Sequence, residues 1–366
     1  MNNPKFKKFL SSALVPILFL LVSAVAIPIS GLSGDYLANE LIARMTRNTF
    51  FVLALILPVM AGMGINFGMV MGCMAAQIGL IFATSWQIEG LAGIGVCLLF
   101  GIPISIVLGY FGGVVLNRAK GREMITSMIL GLFMAGIYQF VLLYMFGTVI
   151  PIENKTILLS RGYGIRVSFN LPMTGALDNL WKIKIAGATR FITIPISTFI
   201  IVALLCAFTF WFRKTKYGQN IRAVGQDNAI SEISGIDVKN KRIMSIIIST
   251  VLACLGQIIF LQNLGTLNSY NGADNAALFA AAALLVGGAT VNKASIVNAL
   301  LGTALFHLMF LVMKEAGTKI TGVAMIGEYL RMFICYGVIC ITLVIHSWKR
   351  QKDKELDREA QRARVN

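Results

Sequence analysis

Charge is scarce in this chain. Of its 366 residues only 13% are Asp, Glu, Lys or Arg and 57% are apolar, whereas soluble domains carry roughly 25% charged and 45–50% apolar residues. With a mean hydropathy of +0.77, that balance argues against a water-soluble fold. Acid is scarcer than base, 16 Asp and Glu against 32 Lys and Arg. The basic residues fall in the gaps between apolar blocks rather than on one face, so the +16 net charge does not read as a nucleic-acid footprint. Histidine is nearly absent. His307 and His346 have no carboxylate or Cys at ligand spacing, which argues against a metal site or a catalytic triad. The six cysteines (Cys73, Cys97, Cys206, Cys254, Cys335, Cys340) contain no CxxC pair and lie in apolar runs, so they read as small packing residues. No GxxxxGK[ST] phosphate loop occurs, since GGATVNKAS lacks the preceding glycine. GMGINFG only mimics a dinucleotide fingerprint, with the wrong final spacing and an apolar context. No catalytic residue, cofactor or metal is expected.

Long apolar runs are what the chain has. A bilayer core about 30 Å thick needs about 20 apolar residues per helix, and the runs predict an all-α polytopic bundle of ten spans, at about 9–30, 49–65, 66–86, 91–116, 124–146, 190–212, 243–264, 276–290, 294–314 and 326–348. With both ends on one side, 21 Lys and Arg fall in segments on that side and 10 on the other. Lys and Arg favour the cytoplasmic side, which predicts both termini inside. The basic PKFKK stretch and the run Phe9–Ile29 resemble a signal peptide, with Ala24-Val25-Ala26 as a cleavage-like site. The run is longer than such a region, so a retained first span is expected. Domain limits follow: a membrane domain over 1–348, containing a cytoplasmic segment 213–242 and an outer loop 147–189, and a charged tail 349–366 that mixes charges at helical spacing.

Two runs are interrupted, one by Pro58, Gly62, Gly64, Asn66 and Gly68, the other by Gly287, Gly288, Asn292 and Lys293. Unwound backbone survives at membrane depth only where protein or a cavity encloses it, so these inserts mark either a path or close helix packing. Polar residues on apolar runs, Gln77, Gln257, Gln262 and Asn298, are expected to face the bundle interior. Asn66, Gln77, Gln257 and Asn298 are the candidates for lining a translocation path. Glu328 and Arg331, three apart, are expected to pair on one helical face.

The longest polar stretch on the predicted inner side is RKTKYGQNIRAVGQDNAISEISGIDVKNKR. Asp227 is placed to cap a short helix. Gly235 is placed to end it in the left-handed conformation, with Ile236 set to pack back on Ile230.

Within it, IRAVGQDNAISEISGIDVKNKR resembles the cytoplasmic loop of the ribose-type permeases of the binding-protein-dependent ABC transport family, through Arg222, Ala223, Gly225, Ala229, Ser234, Gly235 and Ile236. LALILPVMAGMGINFGMVMG is similar to an early segment of that family and AAALLVGGATVNKASIVNALLGTAL to a late glycine-rich one. The ordered similarity runs from about Leu53 to the last span. It departs at Asn66, where the pattern usually has an aspartate, and in the long 147–189 loop with Tyr163, Arg161, Arg166, Trp181 and Lys182, so ribose is not assigned.

The resemblance implies a large-bundle permease similar to the cobalamin-type importers. Its partners would be cytoplasmic ABC ATPase subunits, an extracytoplasmic solute-binding protein and a second permease subunit, in the lipid bilayer of the bacterial inner membrane. Arg222, Gly225, Asp227, Ala229, Glu232, Ser234, Gly235 and Ile236 would then couple the chain to its ATPase while a small polar solute crosses. The competing reading is an ion-coupled secondary transporter, which commonly needs membrane-buried carboxylates; no acid lies near the middle of a predicted span.

Overall fold

The computed structural model describes residues 4–187 and 191–334, together with 336, 337, 340, 341 and 344. Cys335, His346 and the tail 349–366 lie outside the described residues. The described residues fold as a helical bundle.

Helix α1 (Pro4–Ser30) lays Phe19, Ser23, Ala26 and Ser30 inward, a stripe at helical spacing. Ala26 meets Leu311, Val312 and Ala316, so the first span is part of the bundle. Helix α2 (Gly34–Ala54) starts well before the predicted 49. Its charged first half is helix rather than loop because Glu40 pairs with Arg44 at 2.8 Å, one turn away, and with Arg47 at 3.4 Å. Pairing at these spacings satisfies the charges along one face.

After α2 come α3 (Ile56–Met60), a non-helical turn, a 3-10 turn (Phe67–Met69) and α4 (Val70–Ser85). Helix α4 is the most enclosed span, held between α5 (Gly90–Arg118) and α10 (Val238–Leu264). Glycines let the backbones touch: a Cβ at Gly72 would overlap the Thr250 carbonyl, and one at Gly79 would come within 2.7 Å of the Cys97 carbonyl oxygen. Close packing through small residues replaces the hydrophobic drive that lipid removes.

Helix α6 (Glu123–Phe140) continues as a wider turn, Val141–Met145. The predicted outer loop is partly ordered by strands. β1 (Ser168–Asn170) pairs antiparallel with β4 (Thr266–Asn268), and β2 (Lys182–Ala186) with β3 (Phe191–Pro195). Asn39 fixes β3 to α2, donating to the Phe191 carbonyl at 2.9 Å and accepting from the Thr193 amide at 2.7 Å.

Then follow α7 (Ile196–Lys214), α8 (Lys216–Gln226) and α9 (Asn228–Ile233), and, after α10, α11 (Ala276–Val286) and α12 (Ile296–Thr321). At about 1.5 Å per residue, the 11 residues of α11 cross only half a bilayer core. Residues 324–334 are helical, and there Arg331 pairs with Glu328 and stands 4.1 Å from the Phe310 ring centre.

Among the described residues seven helices are long and apolar enough to cross a membrane, and Val15–Ser30 and Ala276–Val286 are shorter apolar helices. Cys73, Cys97 and Cys254 are buried, as packing residues should be, whereas Cys206 is half-buried and Cys340 exposed. Replacing Gly72 by Val would push α4 off α10. Overpacking of this kind costs about 1–3 kcal/mol, so the detergent-solubilised variant is expected to unfold several degrees below the wild type in a thermal melt, with Gly95→Val, where an added Cβ meets nothing, close to wild type.

Candidate functional site

Two regions hold the residues singled out in the sequence. The first is one end of the bundle. Thr215 caps α8, its Oγ1 accepting from the Gly218 amide at 3.2 Å, and Ile221 and Val224 anchor the helix inward. Asp227 then caps α9, with Oδ1 accepting from the amides of Ala229 at 2.8 Å and Ile230 at 3.1 Å. Gly235 has φ +77°, and the Ile236 amide donates to the Ser231 carbonyl at 3.0 Å, closing the helix as the spacing predicts. Ile230 does not fold back under Ile236. It is 63% exposed and Ile233 is 88% exposed, with Ser231 the buried residue of α9 instead. Arg222, Ala229, Glu232 and Ser234 also face outward.

Gly225 is where α8 meets the rest of the molecule. Its Cα lies 2.9 Å from where a Gly62 Cβ would be, and a Cβ on Gly225 would overlap the Met60 carbonyl. Gly62 and Gly64 both have positive φ, +71° and +72°, and turn the chain between α3 and the 3-10 turn. A Cβ on Gly64 would lie 3.0 Å from the Met124 side chain and 3.2 Å from Val291, so both interrupted runs meet here. Asn66 is 2% exposed. Its Oδ1 accepts from the Gly68 amide at 3.0 Å, and Ser127 Oγ accepts from the Phe67 amide at 3.1 Å.

At this same end Arg242 is 1% exposed and pairs with Glu123, tying the start of α10 to the start of α6. In the sequence Arg242 is one of the cations of the 213–242 segment. Its position four residues into α10 was the available signal.

The other path candidates occupy different places. Asn298 bonds Ser295 and donates through Nδ2 to the Gly287 carbonyl at 2.6 Å, satisfying the end of the half-helix α11. Gln77 is fully buried and accepts from the Tyr138 hydroxyl at 2.7 Å. Gln262 accepts from the Leu177 amide at 3.3 Å. Gln257 borders the second region, a cavity of about 170 Å³ between α2, α10, α11 and α12. This cavity opens towards the opposite end, beside the 265–275 segment. There partial burial raises the Asp274 carboxyl above its ordinary pKa, and Tyr270 donates to the Ile165 carbonyl at 2.5 Å. Among the described residues no cluster of His, Cys, Asp or Glu could hold a metal.

A multi-pass bundle with two interrupted spans enclosed in protein is an architecture that membrane transporters use. The family described as the permease component of the branched-chain amino acid transport system matches residues 38–343, and the chain belongs to that family. It is 31% identical to the probable ABC transporter permease protein YphD of Escherichia coli (strain K12) over 152 residues, 41% of this chain and 44% of YphD. It is 27% identical to the nucleoside ABC transporter permease protein NupB of Lactococcus lactis subsp. cremoris (strain MG1363) over 200 residues, 53% of this chain and 51% of NupB. Similarity to the ribose import permease protein RbsC of Escherichia coli (strain K12) is 22% over 283 residues, 76% of each chain. The chain thus spans about half the length of the first two relatives. No solved structure matches it.

Removing one partner of a buried ion pair leaves the other charge uncompensated, at a cost of about 3–5 kcal/mol. Glu123→Ala is therefore expected to lower the thermal midpoint more than Arg242→Met with Glu123→Met in the same chain. Equal midpoints would show that the pair carries no such penalty.

Proposed function

We propose that the chain is the membrane-spanning permease subunit of a bacterial ABC importer. It passes a small polar solute such as a sugar or nucleoside, handed over by an extracytoplasmic binding protein, while a separate cytoplasmic ATPase supplies the energy. The observation that carries this reading is the α8–α9 pair: an end-capped helix with Ile230 and Ile233 projecting from it, backed through Gly225 onto the break at Gly62. Exposed apolar residues on a rigid, charged end face suit a protein partner. In this reading Arg222, Asp227, Ala229, Glu232, Ser234, Gly235 and Ile236 form or shape the face seated on the ATPase. Gly225 conveys its movement to the α3–α4 turn, and the rearrangement opens the path to each side in turn.

The remaining parts of the reading follow from it. The chain works with a second permease subunit in the inner membrane, as a large bundle of about ten spans of the cobalamin-importer kind. Both termini and the 213–242 segment lie in the cytoplasm, and the 147–189 segment outside. Asn66, lying against the moving turn, is the path residue most directly affected by the ATPase.

Co-expression with an ABC ATPase subunit of a sugar or nucleoside importer provides the test. The wild-type chain is expected to retain the ATPase through affinity purification, and Ile230→Asp with Ile233→Asp to lose most of it, with the variant still eluting as a folded bundle. Undiminished recovery of the ATPase would contradict the docking assignment.

A further inference from the structure

The ribbon formed by β2 and β3, just before α7, has two unlike faces. In an antiparallel pair, directly opposed residues project to the same face, and neighbours along a strand project to opposite faces. The register sets Ile183 against Ile194 and Ile185 against Ile192, and it sets Lys182 against Pro195 and Lys184 against Thr193. One face is therefore made of four isoleucines, and the other carries both lysines. Ile183 and Ile185 are exposed, and Ile192 and Ile194 are half-buried. A two-stranded ribbon is marginal in water, and a contiguous apolar face on one calls for a cover.

The position of the ribbon says which cover. Trp181, immediately before β2, accepts at its carbonyl from the Ser197 amide at 3.4 Å, and the Ser197 hydroxyl donates to the Leu177 carbonyl. The ribbon thus hangs on the first turn of α7. That helix is long and apolar enough to cross a membrane, and Ile200, Leu204, Phe208 and Trp211 are exposed along one side of it. Trp181, 58% exposed, stands at one end of the helix. Trp211 stands near the other, followed by Arg213 and Lys214. Tryptophan collects at both membrane–water interfaces, and a Trp at each end of a lipid-facing helix fits that pattern. The ribbon then lies at the interface opposite α8.

Charge agrees with this placement. Lys182 donates to Asn179 Oδ1 at 2.9 Å, which leaves its ammonium further donors. Neither Lys182 nor Lys184 is in an ion pair among the described residues.

We infer that the β2–β3 ribbon is an interfacial anchor, with its isoleucine face entering the edge of the hydrocarbon and Lys182 and Lys184 reaching the phosphates of anionic lipid. Apolar burial combined with attraction to anionic headgroups is what holds interfacial elements to a membrane. Asn39 ties β3 to α2 through two hydrogen bonds, so the anchor fixes the depth of α2 and α7 together at that end. A soluble protein seated on the isoleucines is the competing occupant. The lipid-facing side of α7 runs up to the ribbon, which favours lipid.

The inference rests on the chain's membrane location, not on its ATPase or its solute. The test uses the full-length chain with Trp86→Phe, Trp211→Phe and Trp348→Phe, which leaves Trp181 as its one tryptophan. It is reconstituted in nanodiscs of phosphatidylcholine and phosphatidylglycerol. Lipid brominated in the upper part of its acyl chains is expected to quench Trp181 emission strongly, and acrylamide in the water to quench it weakly. Ile183→Asp with Ile185→Asp is expected to reverse that order while the chain still elutes as a folded bundle. Bromine carried on phosphatidylglycerol is expected to quench about twofold more than the same amount on phosphatidylcholine, and Lys182→Gln with Lys184→Gln to abolish the preference. Strong acrylamide quenching with no effect of brominated lipid would overturn the inference, as would an unchanged order in the folded aspartate variant. Protection from acrylamide that appears only when a soluble binding protein is added would also overturn it, making the ribbon a protein-docking surface. Equal quenching by the two brominated lipids would overturn the phosphate contact. Because no ATPase is present, each of these failures leaves the permease reading to its own co-purification test.

Discussion

Backbone that leaves a helix inside a bilayer must find its hydrogen bonds and its cover within the protein, and the rest of this structure is arranged around that constraint. The turn between α3 and α4 is covered by Gly225 from one side and by Met124 and Val291 from another. Its exposed amides are taken up by Asn66 Oδ1 and Ser127 Oγ. The second break, after α11, is satisfied by the Asn298 amide, and Gly287 against Gly302 lets α11 lie on α12. Since the two breaks approach each other at Gly64 and Val291, α8 rests through Gly225 on irregular backbone. A force applied to α8 reaches this backbone directly, with no flexible side chain between Gly225 and Gly62 to absorb it.

Charge follows a complementary rule. Charges inside the bundle are paired: Arg242 with Glu123, Glu40 with Arg44 and Arg47, and Glu328 with Lys314 and Arg331. Among the described residues the other buried polar groups are amides, hydroxyls and His307. Charged side chains are costly at the centre of a membrane, whereas amides can meet a neutral solute and each other at a lower desolvation cost.

Much of this was legible in the sequence, for local reasons. The breaks were marked by clustered Gly, Pro and Asn, and α9 by an N-capping Asp followed at the right distance by a left-handed Gly. Family resemblance in the 221–242 segment was readable because that segment is polar and must keep its own shape. What was not legible depended on tertiary pairing. The start of α2 looked like a loop because its charges are compensated by helical neighbours and by Asn263 on a distant helix. Short strands such as β1 and β4 carry too few residues to show a period, and they pair across nearly a hundred residues of chain. The contact of Gly62 with Gly225 joins two glycines that are each unremarkable locally. The cavity is likewise invisible in any single run, since its polar lining comes from α2, α10, α12 and the 265–275 segment.

The central claim is that the end bearing α8 and α9 faces the cytoplasm and is covered by a motor protein. Its most direct test is labelling of Ile233→Cys, in a chain with Cys340→Ser, by a membrane-impermeant maleimide. Labelling in inside-out vesicles, blocked when the ATPase is bound and absent in intact cells, is the result this account predicts. Labelling from outside intact cells would contradict it.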